Sequence, residues 1–247
     1  MKNKLKLIIF ISLIFGIIFT QSEPKILIVI TNTEIDNQGH NTGFWFSELT
    51  HFIDVFKNTN YQFEFISPNG GNVPIDLTSL ESLDIVSKNY YKDNDFLELL
   101  KNTKRPIEID INEFSVIYYV GGHGAMWDFP NNNQLQKITT QIYENNGIVS
   151  AVCHGTAGLL NVKLSNGKYL IDNKKVTGFS NFEETIVGKS KSIPFLLQDQ
   201  IEIQNANYDK NLIPFTSNII IDRRIITGQN PNSTTDLAKA ILNWLNL

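Results

Sequence analysis

Short apolar runs recur along the chain between polar segments, and their lengths predict buried strands. Three runs, 25–30, 116–120 and 148–152, are almost continuously apolar and rich in β-branched residues. Strands without polar alternation are typical of a parallel sheet that is covered on both faces. Further strands are predicted at 62–67, 219–221 and 224–227, with the last two flanking a turn at Asp222-Arg223.

Helical segments separate these strands. Helices are predicted at 44–56, 93–101, 135–145 and 234–245, and another is predicted to begin directly after Cys153. Strands that alternate with helices predict an α/β fold with a doubly wound, mostly parallel sheet. In such sheets the ligand lies beyond the carboxyl ends of the strands. Two glycine-rich strand ends, near Gly121 and Gly155, are therefore the places to look for chemistry.

The N-terminal segment has the pattern of a secretory signal peptide. Lys2, Lys4 and Lys6 precede an apolar run over 7–19, after which the sequence turns polar. We therefore expect residues 1–22 to be removed, residues 23–247 to form a single domain, and the protein to be secreted or extracytoplasmic, without stable membrane insertion. An uncleaved N-terminal anchor is the alternative interpretation, although the run is shorter than the roughly 20 residues of a membrane span.

Composition restricts the classes of partner. Apolar residues make up 42% of the chain and charged residues 19%, as in ordinary globular proteins. The formal charge is −4 and becomes more negative without the leader lysines, which argues against a nucleic-acid partner. Cys153 is the one cysteine, so the chain forms no internal disulfide. Its thiol is either buried and inert or kept for reactivity.

The neighbours of Cys153 favour reactivity. The segment Ala151-Val-Cys-His-Gly155 has small residues two positions before and after the cysteine, as a nucleophile elbow requires. The N–H groups of a following helix would lower the pKa of the thiol and hold an oxyanion. The alternative is a buried cysteine in a strand-to-helix connection that happens to have small neighbours.

Other candidate groups are scattered along the chain. The glycine-rich run that follows the strand at 116–120 could offer N–H groups to an oxyanion, and His123 within it is either a second base or an ordinary loop residue. Glu48 lies among aromatic residues that would raise its carboxyl pKa, but its spacing alone is better explained by an exposed helical glutamate. Glu183 and Glu184 could orient His154 or simply serve a helix N-terminus.

These segments occur in an order that resembles a known family. Phe44-Trp45 with Glu48 is followed by further motifs at 67–71, 121–124, 151–155, 176–180 and 227–231. Each motif is weak alone, but the ordered set resembles the ThiJ/PfpI superfamily, in the branch of the heat-shock protein thirty-one chaperones and glyoxalase III enzymes. The resemblance covers residues 25–247.

The resemblance implies a fold and a set of site residues. The fold is a flavodoxin-like three-layer sandwich of the class I glutamine amidotransferase type. The implied catalytic residues are Cys153, His154, Glu48 and Glu184, with Glu183 as the alternative to Glu184. The expected oxyanion or substrate-binding residues are Gly121, Gly122, His123, Gly124 and Gly155.

The implied activity is a cofactor-independent conversion of methylglyoxal and related carbonyl compounds to D-lactate-type 2-hydroxy acids, through a hemithioacetal on Cys153. Alternatives with the same site are a redox-responsive holding chaperone, a protein deglycase and a thiol peptidase. No cofactor is expected, and no metal, since the histidines are scattered in sequence. Dimers are common in this family, so the resemblance also implies a homodimer. Most members are cytosolic, so a cytoplasmic location is the alternative to export.

Overall fold

A central sheet organises the structure, a computed structural model that describes residues 25–246. The predicted signal peptide at 1–22 lies outside the described residues. The strands, in chain order, are β1 (Lys25–Val29), β2 (Gln62–Ile66), β3 (Phe114–Tyr119), β4 (Ile148–Val152), β5 (Lys175–Val176), β6 (Asn207–Tyr208), β7 (Ile219–Asp222) and β8 (Ile225–Gly228). Six of them form the main sheet in the order β2-β1-β3-β4-β8-β7, and β5 pairs with β6 separately.

Neighbouring strands of the main sheet are parallel except at one edge, where β7 runs antiparallel to β8. The helices are α1 (Phe46–Phe56), α2 (Ile85–Tyr91), α3 (Asn94–Lys101), α4 (Ala125–Asp128), α5 (Asn133–Glu144), α6 (Asn181–Val187), α7 (Leu197–Ile203) and α8 (Thr234–Leu245). Helix α1 packs against α8, and α5 packs against β3 and β4. This arrangement confirms the predicted α/β sandwich with a mostly parallel sheet.

The 3₁₀ segments are Leu77–Leu80, Pro106–Glu108, Ile111–Glu113, Cys153–Leu159 and Pro231–Ser233. The one that follows β4 stands where the sequence predicted a helix. It carries Gly155 and Gly158, both of which lie too close to Tyr119 to accept a Cβ. Residues three apart eclipse one another in a 3₁₀ helix, so this winding turns both glycines toward Tyr119, Gly155 against its backbone and Gly158 against its ring.

The core holds α1 firmly on the sheet. The apolar residues of β1 after Lys25 have no exposed surface, as the continuous run predicted. The ring of Phe52 on α1 stacks on Tyr118 of β3, with centroids 3.8 Å apart and planes 7° apart. The Tyr118 hydroxyl donates to the carbonyl of Glu48 at 2.8 Å. Burial of each large side chain contributes about 1.5–3 kcal/mol, so the position of Glu48 is fixed by core packing.

Strand register brings the functional loops together. Val29 pairs with Tyr119 and Tyr119 pairs with Ala151. Ala151 pairs in turn with Thr227. The carboxyl ends of β3, β4 and β8 therefore meet at one edge of the sheet, where an open α/β fold places its ligand. Among residues 25–246, no helix combines the length and apolar character needed to cross a bilayer.

Candidate active site

Cys153 lies directly after β4 in a strained conformation. Its φ is 55°, in the left-handed region that residues with a side chain adopt at a cost. The close approach of the next turn depends on Gly155, since a Cβ there would overlap the backbone of Tyr119 and Val120. This is the geometry of the predicted elbow, and the thiol itself is almost fully buried.

The thiol faces an imidazole that is oriented by a carboxylate. Cys153 Sγ lies 3.3 Å from His154 Nδ1, and His154 Nε2 lies 2.7 Å from Glu184 Oε2. An ionised carboxylate only accepts, so the His154 proton lies on Nε2 and Nδ1 is the acceptor that faces sulfur. Both His154 and Glu184 are buried. The geometry is that of a nucleophile, a base and an orienting carboxylate.

Glu183, the alternative orienting residue, has a structural position. Its Oε2 accepts from the N–H and the hydroxyl of Ser180 at 3.1 and 2.8 Å, which caps helix α6. It also accepts from Gln229 Nε2 and from Asn230 Nδ2, both at 2.9 Å. The fourth partner is the N–H of Phe215 at 2.8 Å. Glu183 thus joins the start of α6 to the segment after β8, while Glu184 turns toward His154.

Glu48 reaches the same thiol from helix α1 and has no exposed surface. Its Oε2 accepts from the N–H of Gly121 at 2.7 Å, while Oε1 has no well-aligned hydrogen-bond partner among the described residues. Burial raises the pKa of Glu48 to about 8, although its interactions with Cys153 and Gly121 lower it. The carboxyl is therefore largely protonated at neutral pH, and its proton is available on Oε1.

The prediction that the pKa of the Cys153 thiol is lowered was wrong. Burial raises its pKa well above the ordinary value, and the charge of Glu48 raises it further. The backbone N–H of His154 lowers the pKa by less. Since a neutral Glu48 removes the like-charge repulsion, its protonation favours the thiolate.

Two of the expected oxyanion donors are already engaged. The N–H of Gly121 donates to Glu48, and the N–H of Gly124 donates to the carbonyl of Gly43 at 3.2 Å. The glycine-rich pattern after the strand suggested these donors. Sequence does not reveal which of the N–H groups already donate to other groups within the fold. Gly122 and His123 do line the cavity at Cys153.

His123 belongs to the site in a way that the sequence did not reveal. Its Nε2 lies 2.9 Å from Glu184 Oε1, so one carboxylate holds two imidazoles. The His123 and His154 rings lie 4.1 Å apart. Burial lowers the pKa of His154, and the charge of His123 lowers it further against the effect of Glu184. Burial acts to raise the pKa of Glu184, but His154 and His123 outweigh it and hold that pKa well below its ordinary value.

A small, mostly apolar cavity of about 90 Å³ opens onto the thiol and the two imidazoles. Its remaining walls are Trp45, Gly122, Phe179, Val187, Phe215 and Pro231. The ring of Phe179 lies 4.4 Å from that of His154 and shields it. Such a cavity suits a small, weakly polar molecule.

The relationship of this chain to known proteins follows from its match to a family model. The model described as the DJ-1/PfpI family covers residues 41–244. The chain belongs to the DJ-1/PfpI family. The resemblance read from the ordered motifs is therefore confirmed.

Several known proteins are similar to this DJ-1/PfpI family member over nearly their whole length. The glutathione-independent glyoxalase HSP31 of Saccharomyces cerevisiae is 32% identical, covering 87% of this chain and 94% of its own. The crystal structure of glyoxalase III from Candida albicans is 32% identical with a TM-score of 0.82, covering 89% and 96%. The Rapid Encystment Protein 24 KDa of Francisella tularensis is 39% identical with a TM-score of 0.87, covering 90% and 99%.

In this DJ-1/PfpI protein three groups could also hold a metal ion. Ligand atoms of His123, His154 and Glu184 lie within 4.8 Å of one another. The expectation that the histidines are too scattered for such a cluster was wrong, because the fold brings the loop after β3 onto the elbow. Both Nε2 atoms already point at the Glu184 carboxylate, and this hydrogen bonding satisfies the three groups without an ion.

Aromatic walls were the other feature that sequence reasoning missed. Phe179 lies within the family motif at 176–180, whereas Phe215 lies in a segment with no recognisable pattern. Phe215 has a φ of 59°, which is unusual for a bulky residue and marks the position as special. Only the folded backbone reveals that signal.

Proposed function

We propose that this protein is a glutathione-independent glyoxalase that converts methylglyoxal to D-lactate and related 2-oxoaldehydes to the corresponding 2-hydroxy acids. The observation that carries the proposal is a buried thiol between a protonated carboxyl, Glu48, and the His154–Glu184 pair. The glyoxalase names of the relatives support the same activity.

The first step of the proposed reaction forms a hemithioacetal. His154 Nδ1 takes the thiol proton as Cys153 Sγ attacks the aldehyde carbon, C1. Glu48 gives its proton to the oxygen on C1, so that a carboxylate and an imidazolium remain. The ionised Glu184 stabilises this imidazolium, which its proximity to His154 Nε2 allows.

Isomerisation follows by two proton transfers. The Glu48 carboxylate removes the hydrogen on C1, the electrons form the C1–C2 double bond, and the imidazolium protonates the oxygen on C2. The resulting enediol takes a proton on C2 from Glu48 and gives its C1 hydroxyl proton to His154. The product is a thioester of the 2-hydroxy acid on Cys153.

Water then opens the thioester. Glu48, now a carboxylate, takes a proton from the attacking water, and the imidazolium of His154 returns its proton to the departing sulfur. Every group regains its starting form, and the net change is addition of one water to the 2-oxoaldehyde. In this scheme Glu48 moves the protons on carbon, and His154 serves sulfur and oxygen.

The activity is tested by incubating the purified chain with methylglyoxal without glutathione and measuring D-lactate with a stereospecific dehydrogenase. We expect D-lactate to form without glutathione, and added glutathione should not increase the rate, since its spontaneous reaction with methylglyoxal gives only a hemithioacetal and lowers the free substrate. Consumption of methylglyoxal without D-lactate, or no consumption, would contradict the proposal.

A second function, as a holding chaperone, is favoured by apolar residues on the surface of α6. Phe182 and Ile186, one helical turn apart, are 54% and 51% exposed. Exposed apolar side chains bind partly unfolded clients. Phe182→Ser should weaken suppression of aggregation of a heated client, while D-lactate formation continues. If the unaltered protein does not slow client aggregation, this second function is excluded.

We also propose that the protein is exported, on the evidence of the lysine-flanked apolar run at 1–22. N-terminal sequencing of the protein from its native host should begin near Glu23. Recovery of soluble protein that retains Met1 would contradict export.

A further inference from the structure

A second cavity of about 350 Å³ lies beside the one that contains Cys153. Trp45, Phe215 and Pro231 line both cavities, so the two are neighbours with common walls. Small-molecule sites usually measure about 300–1,000 Å³. The second cavity reaches this range, whereas the cavity of about 90 Å³ at the thiol does not. A substrate longer than three carbons therefore needs space beyond the thiol cavity.

Hydroxyl groups and one imidazole distinguish the second cavity, which we call the hydroxyl cavity. Its polar residues include Ser47, Thr78, Ser82 and His51. The side chains of Ser47 and Ser82 make no hydrogen bond to another residue of the described chain, so their hydroxyls can bind a ligand. The lining thus contrasts with the apolar walls around Cys153.

The imidazole in the hydroxyl cavity is held in a defined orientation. His51 Nε2 lies 2.6 Å from Asp84 Oδ2, and Asp84 Oδ1 accepts from the N–H of Ser87 at 2.9 Å. Because the carboxylate accepts the Nε2 proton, Nδ1 of neutral His51 is left as an acceptor for a hydroxyl group. His51 is partly buried and takes no part in the proposed proton transfers at Cys153.

The backbone of Phe215, one residue of the wall between the two cavities, is fixed by hydrogen bonds on both sides. Phe215 is held in its left-handed conformation by Glu183, which accepts its N–H at 2.8 Å. Asn232 Nδ2 donates to the Phe215 carbonyl at 2.6 Å. Strained residues that are fixed from both sides are typical of ligand sites. The backbone that carries the Phe215 ring is therefore fixed between the thiol cavity and the hydroxyl cavity.

We propose that the hydroxyl cavity binds the hydroxylated tail of sugar-derived 2-oxoaldehydes while their dicarbonyl end reacts at Cys153. The inference rests on the proposed glyoxalase function and names a further substrate class for the same site. His51 Nδ1 accepts from a tail hydroxyl, and the hydroxyls of Ser47 and Ser82 exchange hydrogen bonds with others. The aromatic walls of Trp45 and Phe215 pack against the carbon chain.

The test compares kcat/KM for 3-deoxyglucosone, a six-carbon 2-oxoaldehyde with three hydroxyls, with kcat/KM for methylglyoxal. His51→Leu removes the oriented acceptor and Ser82→Phe fills the cavity. Loss of one hydrogen bond to a bound hydroxyl costs about tenfold in affinity. We therefore expect the ratio of the two kcat/KM values to fall about tenfold in each variant, mainly through KM, with partial recovery in His51→Gln.

Ser165→Phe is the matched control, since Ser165 is exposed and lines neither cavity. It should leave the ratio unchanged. If the unaltered protein turns over methylglyoxal and the His51 and Ser82 variants keep its ratio, the hydroxyl cavity is not a substrate site and the glyoxalase function stands. If the unaltered protein turns over neither compound, the proposed function falls and this inference falls with it.

Discussion

The chemistry of single residues in this site depends on which groups are charged together. Glu48 and Cys153 are both acids, and ionising one raises the pKa of the other. Glu184 has the opposite effect on its neighbours, since one carboxylate holds both His123 and His154. The site therefore contains two carboxyl groups in different states. Glu48, beside the sulfur, is neutral, and Glu184, on the far side of the His154 imidazole, is ionised.

Glu48→Gln tests the neutral carboxyl. The amide has a similar shape and cannot ionise. In the unaltered protein an ionised Glu48 raises the pKa of the Cys153 thiol, so that pKa should be lower in the variant. Turnover should decrease at least about a hundredfold, because an amide cannot carry protons between the substrate carbons. Alkylation rates by iodoacetamide across pH give the thiol pKa, and steady-state assays give kcat. Normal kcat in this variant would assign the carbon proton transfer to another group, with His154 the first to test.

The pH profile of kcat/KM should report two groups of the free enzyme. The mechanism needs neutral His154, whose pKa is lowered by burial, and protonated Glu48, whose pKa burial raises to about 8. Activity should rise as His154 loses its proton below the ordinary histidine range, and it should fall above about pH 8 as Glu48 ionises. Activity that keeps rising past pH 9 would show that the reactive form has an ionised Glu48.

At the scale of elements, the contact between the elbow and strand β3 decides where the thiol lies. Gly155→Ala would place a methyl group against the backbone of Tyr119 and Val120. Overpacking of this kind typically costs about 1–3 kcal/mol, and here the opposing atoms are backbone. Urea unfolding should show a loss near the upper end of that range.

Gly39→Ala is the control for this substitution. Gly39 has a φ of 84° and open space around its Cα, so alanine there suffers only from the left-handed backbone, about 1 kcal/mol. Equal losses at Gly39 and Gly155 would mean that the elbow moves away from β3 easily.

Strands and helices with a continuous or regularly spaced set of apolar residues were predictable from the sequence, and the others were not. Strands β1 and β4 follow from their β-branched runs because both faces are buried. Helix α2 was missed because Ile85 and Tyr91 at its two ends are exposed, and its core-facing side is short, with Tyr90 only partly buried. For helix α6 the sequence offered only a possible start, at the acidic pair Glu183-Glu184, because the apolar residues Phe182 and Ile186 are exposed. Strands β5 and β6 have two residues each, too few for any pattern.

The candidate site was predictable to a similar extent. Cys153 and His154 could be named from the local elbow pattern, whereas Glu48 and Glu184 came from the family resemblance. The shared contact of His123 with Glu184 joins residues 61 positions apart. Such a contact depends on how the loop after β3 packs on α6, which no local pattern encodes.

At the scale of the whole molecule, the parallel sheet brings distant parts of the chain to one edge. Glu48 arrives from α1, His123 from the loop after β3, Cys153 from the elbow after β4, and Glu184 from α6. The loop after β8 closes the site through Gln229 and Asn230, which hold Glu183. The fold holds these residues in place, and in the proposed reaction the substrate is bonded to one protein atom, Cys153 Sγ.

The most direct test of this account is therefore the kcat for methylglyoxal of Cys153→Ala beside that of the unaltered protein. Alanine is small enough for the elbow, so the melting temperature should change little. We expect kcat to fall below about a hundredth of its normal value, which corresponds to a barrier increase of more than about 2.7 kcal/mol. Retention of a larger fraction by a folded Cys153→Ala protein would exclude the thiol as the nucleophile and contradict the account.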